Sequence, residues 1–196
     1  MNVPFVGLTG GIGAGKSTAL AALERLGAAV LSTDQVVHEL YDAPEVRDAV
    51  VQRFGPSVAP DGVVDRAALA RAAFASPEDR GWLEQLLWPR VGERITQWRA
   101  ELERSATRPR AAVVEVPLLF ESGMDSAFDA TIAVTATEAL RAERAGSRGH
   151  EALAERGKRQ LTQEEKAHRA RYVVTNDGSV ADLERMLSSV LEMLDR

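Results

Sequence analysis

The chain has 196 residues, 45% of them apolar, with a formal net charge of −5 and a pI near 5.3. That size and apolar content build one core with room for an insertion, and they exclude global disorder. The acidic balance argues against nucleic acid bound through overall charge, and the absence of cysteine excludes a disulfide scaffold, a cysteine-ligated metal centre and a thiol nucleophile.

Val3 to Leu8 is an apolar run ending in glycines, which predicts a buried strand. A helix follows from Lys16 to Leu26, with Gly27 placed to end it, and Ala28 to Leu31 reads as a second strand. Asp34 to Tyr41 and Glu45 to Phe54 are predicted helices, and Pro56 to Val64 a loop with an Asp61-Gly62 turn. Asp65 is placed to cap a helix through Phe74. Ser76-Pro77-Glu78-Asp79 opens another, predicted to stop near Leu87 before Trp88-Pro89, with a further helix reaching about Ser105. Ala111 to Val116 and Ala130 to Val134 read as strands three and four. Helices are predicted over Thr137 to Ala145 and Glu151 to Arg169, then a fifth strand over Tyr172 to Val174. Ser179 with Asp182 caps a last helix ending near Leu194. Short apolar strands alternating with helices predict an α/β fold: a five-stranded, mostly parallel sheet with helices on both faces. The long helical stretch 35–106 is read as an insertion into a core made of 1–34 and 107–196.

No apolar run approaches the ~18 residues of a membrane span. The opening MNVPFVGLTGG has neither a basic stretch nor a cleavage pattern, so the expected setting is cytoplasmic, without a secretory leader. Three of the 24 basic residues are lysines (Lys16, Lys158, Lys166) and the others are arginines. Thr135 to Arg171 holds nine basic against six acidic residues, a local excess of positive charge on an acidic chain that suggests a place for anions.

Gly10 to Ser17 reads GGIGAGKS and fits G-x-x-x-x-G-K-[ST], a phosphate-binding loop, with an apolar strand before it and a helix after it. Its glycines allow the backbone N–H groups to point inward at phosphates, the helix presents its positive end, Lys16 reaches the β- and γ-phosphates, and the Ser17 hydroxyl can ligate Mg²⁺. The nucleotide-binding set is therefore Gly11, Ile12, Gly13, Ala14, Gly15, Lys16, Ser17 and Thr18. No N-K-x-D for guanine is present, and Glu115 stands where a magnesium-holding aspartate would end the third strand. A small chain with a helical insertion and a basic late segment suits a small-molecule kinase. Another nucleotide or metabolite kinase, or a non-catalytic nucleotide-binding switch, are the alternatives.

The whole chain resembles the dephospho-coenzyme A kinase family. The resemblance rests on Leu8 to Ser17, on Leu31-Ser32-Thr33-Asp34 in the place of an I-D-A-D segment, on Leu87-Trp88-Pro89 where L-H-P is usual, and on Val116-Pro117-Leu118-Leu119-Phe120-Glu121. Gln160, Glu164-Glu165-Lys166 and Tyr172 to Gly178 match the family's ending. Ser32 replaces the first aspartate and Trp88 replaces the histidine, so neither role carries over. The resemblance implies a three-layer P-loop nucleotide-kinase-like fold, a helical coenzyme A-binding lobe, and a lid at about 141–165. It implies transfer of the ATP γ-phosphate to the ribose 3′-hydroxyl of dephospho-CoA, with ATP and Mg²⁺ as cofactors. The expected partners are these small molecules, without nucleic acid or membrane, and a monomer or weak homo-oligomer.

Asp34 follows the second predicted strand, at the edge where such sheets bind ligands. Its carboxylate can accept the acceptor's proton or contact Mg²⁺, and a helix cap is the structural alternative. His38 lies one turn on, either tuning the site or facing solvent. Arg141, Arg144 and Arg148 share a helical stripe suited to covering phosphates, and the resemblance favours Arg144 and Arg148 as the catalytic pair. Pro117, Leu118 and Glu121 are assigned to the acceptor side, and Asn176 and Gly178 to the nucleotide. Trp82, Trp88 and Trp98 are expected to pack.

Overall fold

The computed structural model describes residues 3–146 and 160–195. Among these, the strands in chain order are β1 (Phe5–Gly10), β2 (Ala29–Ser32), β3 (Ala112–Glu115), β4 (Ala130–Thr135) and β5 (Tyr172–Thr175). The helices are α1 (Lys16–Arg25), α2 (Thr33–Leu40), α3 (Pro44–Phe54), α4 (Arg66–Ala73), α5 (Pro77–Arg104), α6 (Glu138–Gly146), α7 (Gln163–Arg169) and α8 (Val180–Leu194).

The sheet runs β2-β3-β1-β4-β5 and every pairing is parallel. Parallel strands need crossovers, so the sheet is covered on both faces and its central strand is buried throughout, apolar but for Thr9. All six residues of β1 are buried. Their alternation divides the core. Val6 and Leu8 pack with Ala22 and Leu23 of α1 and Leu183 and Leu187 of α8. Phe5 and Gly7 point the other way. Phe5 stacks on Phe128 at 4.6 Å, and a Cβ on Gly7 would come within 3.0 Å of Leu119 and Phe128 side chains. Helices on either side of a five-stranded parallel sheet make the expected three layers.

The chain divides into two compact units, Met1–Ser32 with Arg99–Arg196, and Thr33–Trp98. Against an insertion expected over 35–106, the helical unit therefore ends at Trp98. From Arg99 onward α5 belongs with the sheet unit, where the Arg99 guanidinium lies over the Phe5 ring at 4.4 Å. The helical unit has its own core, formed by Val46 and Val50 of α3, Leu69 of α4, Leu87 of α5 and Val58. Asp65 caps α4, its carboxylate accepting the Ala67 and Ala68 amides at 2.9 and 3.1 Å, which holds that carboxyl below its ordinary pKa.

Three local expectations are corrected. The predicted break before Trp88-Pro89 is absent, and α5 runs through Pro89. Pro89 has no N–H for the Gln85 carbonyl, a loss on the order of 3 kcal/mol in a helix interior. Leu87, Val91, Ile95 and Trp98 bury one stripe that crosses the proline, and burying each such side chain is worth ~1.5–3 kcal/mol, so the stripe wins. Pro56–Val58 and Pro60–Gly62 form two 3₁₀ turns within the predicted loop. The helix predicted from Glu151 is not continuous into α7. Residues 160–162 are non-helical, and α7 starts afresh behind Thr162, which forms a capping box with Glu165. Residues 151–159 of that prediction, Arg148, and the middle of the expected lid lie outside the described residues.

Candidate active site

The phosphate loop leaves the carboxyl end of β1 and enters α1 through backbone that only glycine adopts readily. Gly13 and Gly15 have φ of 77° and 92°. Space imposes the same requirement, since a Cβ on Gly13 would collide with the Arg141 backbone and one on Gly15 with the Asn176 amide. Ala14 N donates to Gly11 O at 3.2 Å, closing the turn. The first N–H groups of α1 then face the loop's concavity, the arrangement that binds anions at helix N-termini. Lys16 Nζ lies over the loop, donating to the carbonyls of Gly10 and Gly11 at 3.1 and 3.2 Å. Ser17 and Thr18 are exposed on the first turn of α1.

Two arginines of α6 rest on this loop's surroundings. Arg141 Nε donates to Ile12 O at 3.0 Å while its Nη1 pairs with Glu138 at 2.8 Å. Arg144 donates through both terminal nitrogens to Asn176 O, at 3.2 Å each. Asn176 is buried, and its Nδ2 donates to Ala14 O at 3.0 Å. Through this bond Asn176, assigned to the nucleotide from the sequence, braces the backbone of the phosphate loop. Gly178 has a local reason to be glycine: a Cβ there would meet the Asp182 carboxylate at 2.7 Å, and Asp182 completes the capping box of α8 with Ser179.

The loop after β3 is held by a buried ion pair. Lys166 of α7 is fully buried and donates to Pro117 O at 2.6 Å and Thr9 Oγ1 at 3.4 Å. Its Nζ lies 3.0 Å from Glu121 Oε1, which also accepts the Leu161 amide at 2.8 Å. Burial pushes the Lys166 ammonium below the usual lysine range, and Glu121 partly opposes that shift. Glu121 thus turns inward rather than sitting on an exposed turn. At the neighbouring strand end, Ser32 Oγ donates to the buried Glu115 at 3.0 Å. The family's usual aspartate at Ser32 would set a second carboxylate against Glu115, and serine supplies a donor instead.

A cleft of about 320 Å³ opens beside the loop, lined by Gly11, Ile12, Arg141, Gln160, Leu161 and Thr162. A larger cavity of about 500 Å³ lies by Val3 and Ala112, at the amino ends of β1 and β3, on the edge away from the loop. The cleft beside the loop is the candidate site, because ligands of open parallel sheets bind at the carboxyl ends of the strands.

Within the helical unit, Asp34 is exposed in the first turn of α2 and His38 is half-buried in its last. Because α2 begins at Thr33, Asp34 is not its cap residue. Trp98 is buried and Trp82 packs edge-on against Phe54, whereas Trp88 is 52% exposed, so the packing expectation fails there. Among the described residues no group of three His, Asp or Glu stands ready for a metal. Ser17, exposed on the first turn of α1, offers a hard oxygen donor of the kind that a Mg²⁺ carried on phosphate oxygens takes.

A family model described as dephospho-CoA kinase matches residues 4–182. A dephospho-CoA kinase of Deinococcus radiodurans is 38% identical over 97% of this chain and 92% of its own length. One from Moorella thermoacetica is 40% identical over 95% and 88%. A solved structure from Thermus thermophilus superposes with a TM-score of 0.78 at 35% identity, covering 99% of both chains. The chain belongs to the dephospho-CoA kinase family. Kinases of this family use ATP, and the phosphate loop is the part of this chain suited to hold it.

Two residues of this dephospho-CoA kinase family member make contacts that its sequence alone does not assign. Arg141, passed over in favour of Arg144 and Arg148, is the arginine bonded to the loop itself. Lys166 was counted only in a family motif. Its signal was available as a lysine between two predicted strands in a chain with three lysines. Among the described residues no helix is long and apolar enough to cross a membrane.

Proposed function

We propose that the chain transfers the γ-phosphate of ATP to the 3′-hydroxyl of the ribose of dephospho-CoA, the last step in making coenzyme A. The observation that supports this most is the phosphate cradle, two left-handed glycines with Lys16 above them and Arg141 and Arg144 beside them, in a chain matched to that family almost end to end.

Phosphoryl transfer asks the protein for positioning and charge more than for covalent chemistry. In this reading the loop amides and Lys16 bind the β- and γ-phosphates. Arg144 releases Asn176 O to meet charge that develops on the transferring group, with Arg148 as its proposed partner. Asp34 orients the acceptor hydroxyl and takes its proton, and His38 lines the acceptor side with Pro117 and Leu118. Ser17 Oγ and the Asp34 carboxylate are the proposed holders of Mg²⁺, which neutralises phosphate charge when bound. The helical unit is proposed to bind the coenzyme A moiety, and Gly178 to serve the nucleotide through the loop it shares with Asn176.

The deciding experiment follows labelled γ-phosphate from ATP. Label on the 3′ position of dephospho-CoA is the expected result. Label on a different small alcohol in an acceptor panel, with dephospho-CoA untouched, would replace this reading with another kinase activity.

A further inference from the structure

Lys166 and Glu121 form a buried ion pair in the sheet unit. Lys166 is fully buried, and the Glu121 side chain is 13% exposed. Glu121 Oε2 is buried without a hydrogen-bond partner among the described residues. Taking two charges out of water often outweighs their attraction, and well-packed apolar residues in their place are often neutral or stabilising. An arrangement that does little for stability has to be accounted for by its location.

That location joins three chain segments. Thr9 directly precedes Gly10 of the phosphate loop, Pro117 follows β3 after the single residue Val116, and Leu161 directly precedes the cap of α7. The segment after β3 is already closed internally, with Ser122 N on Leu118 O at 3.0 Å and Met124 N on Leu119 O at 3.1 Å. It is therefore a stiff turn whose attachment, rather than whose shape, is left to be fixed. Lys166 has the reach to fix it: one ammonium holds the Pro117 carbonyl, the Thr9 hydroxyl and the Glu121 carboxylate together.

We propose that Lys166 and Glu121 are a positioning pair that sets the Pro117–Glu121 turn against the end of β1, and so aligns the acceptor side of the site with the phosphate loop. The inference rests on the reading of Pro117 and Leu118 as acceptor-side residues. In this proposal Glu121 serves the acceptor side through Lys166 and the turn rather than by contact with substrate. Its effect on the reaction comes through geometry, where a displacement of about 1 Å costs on the order of 10²-fold in rate.

The test uses the full chain and two variants, Lys166→Met and the double Lys166→Met/Glu121→Gln. The single variant strands a buried carboxylate and is expected to melt early or not to fold. The double variant removes both charges and is expected to recover most of the melting temperature. If the pair positions the turn, the recovered double variant still shows an acceptor KM or kcat worse by about 10–10²-fold, with the KM for ATP within about twofold of the parent. Hydrogen exchange of the Leu118–Met124 amides rises in it while that of α1 does not. Recovery of acceptor kinetics along with stability would overturn the proposal and leave the pair a structural contact. Unchanged exchange over Leu118–Met124 would overturn it too. An unmodified chain that leaves dephospho-CoA unphosphorylated defeats the functional reading instead, and the exchange comparison then still decides the pair.

Discussion

The two compact units keep their polar groups in different places. In the sheet unit Thr9, Glu115, Lys166 and Asn176 are buried at or just past the carboxyl end of a strand or reach one, and Thr131 is buried near the amino end of β4. In the helical unit an ion-pair cluster stands near the surface, where Arg53 holds both Glu78 and Asp79. Buried polar groups must be satisfied or they destabilise, so they are kept where geometry has to be specified. Surface pairs contribute little and are screened by salt. The contrast predicts that substitutions of buried polar groups in the sheet unit alter function and folding together, while those of exposed groups in the helical unit alter neither much. Asp34 is the expected exception.

Asp34→Asn is the strongest way to break the contrast. The residue is exposed, so the rule for its unit predicts a silent change. If it is the acceptor's base, turnover of dephospho-CoA falls by roughly 10²–10⁴-fold. Asparagine keeps the size and most of the hydrogen-bonding reach, so the melting temperature should hold. Both are measured on one preparation. A full rate with an unchanged melt would return Asp34 to the surface class.

Lys16→Ala sharpens the sheet side of the comparison. The ammonium spans two loop carbonyls, and removing it takes away charge aimed at the transferring phosphate. The expected cost is on the order of 10²–10³-fold in kcat, with the fold intact by circular dichroism. Near-parental turnover by a folded variant would count against the loop as the site of phosphoryl transfer.

How much of this could be read from residues alone follows the sequence range of the contacts. The β1–loop–α1 unit was legible because its glycines, lysine and flanking patterns lie within a few residues of one another. The five strands were legible for the same reason, as short apolar runs between turn signals. The bond from Asn176 to Ala14 was not legible because its partner lies far away in sequence. Lys166 sits in a polar Gln-Glu-Glu-Lys run that reads as a solvated helix face. Only when Thr9, Pro117 and Glu121 converge on it does it become the most buried charge among the described residues. Pro89 was read as a stop because local chemistry says so, and the buried stripe that overrides it is a property of the folded unit.

Asn176→Ala tests whether bracing and folding are linked in the sheet unit. The change leaves Ala14 O without that donor in a buried setting, worth about 1–3 kcal/mol. Arg144 keeps its acceptor, because it bonds the backbone oxygen of residue 176 rather than the side chain. A loosened loop should raise the KM for ATP several-fold and leave the acceptor KM alone. Equal changes in both constants would assign Asn176 to general packing.

Asp79→Asn, in the helical unit, is expected to do least. The Asp79 carboxyl is held below its ordinary pKa first by the Ser76 hydroxyl and then by Arg53. A folded-state pKa below the unfolded one means the unfolded chain binds more protons in the window between the two. The stabilisation is therefore present above the unfolded value and is lost as pH falls through the folded one. Asparagine can still accept from Ser76, and Glu78 remains to hold Arg53 at 3.0 Å, so only one charge of a shared arrangement is removed. The melting temperature should drop slightly at neutral pH and low salt. The gap should close both in high salt and on acidification, when the parent's carboxylate is protonated as well. Turnover should not change at any of these conditions. A large loss of stability that survives high salt would show that the capping hydrogen bond, not the ion pair, carries this corner of the helical unit, and that its polar groups are not all of the expendable surface kind.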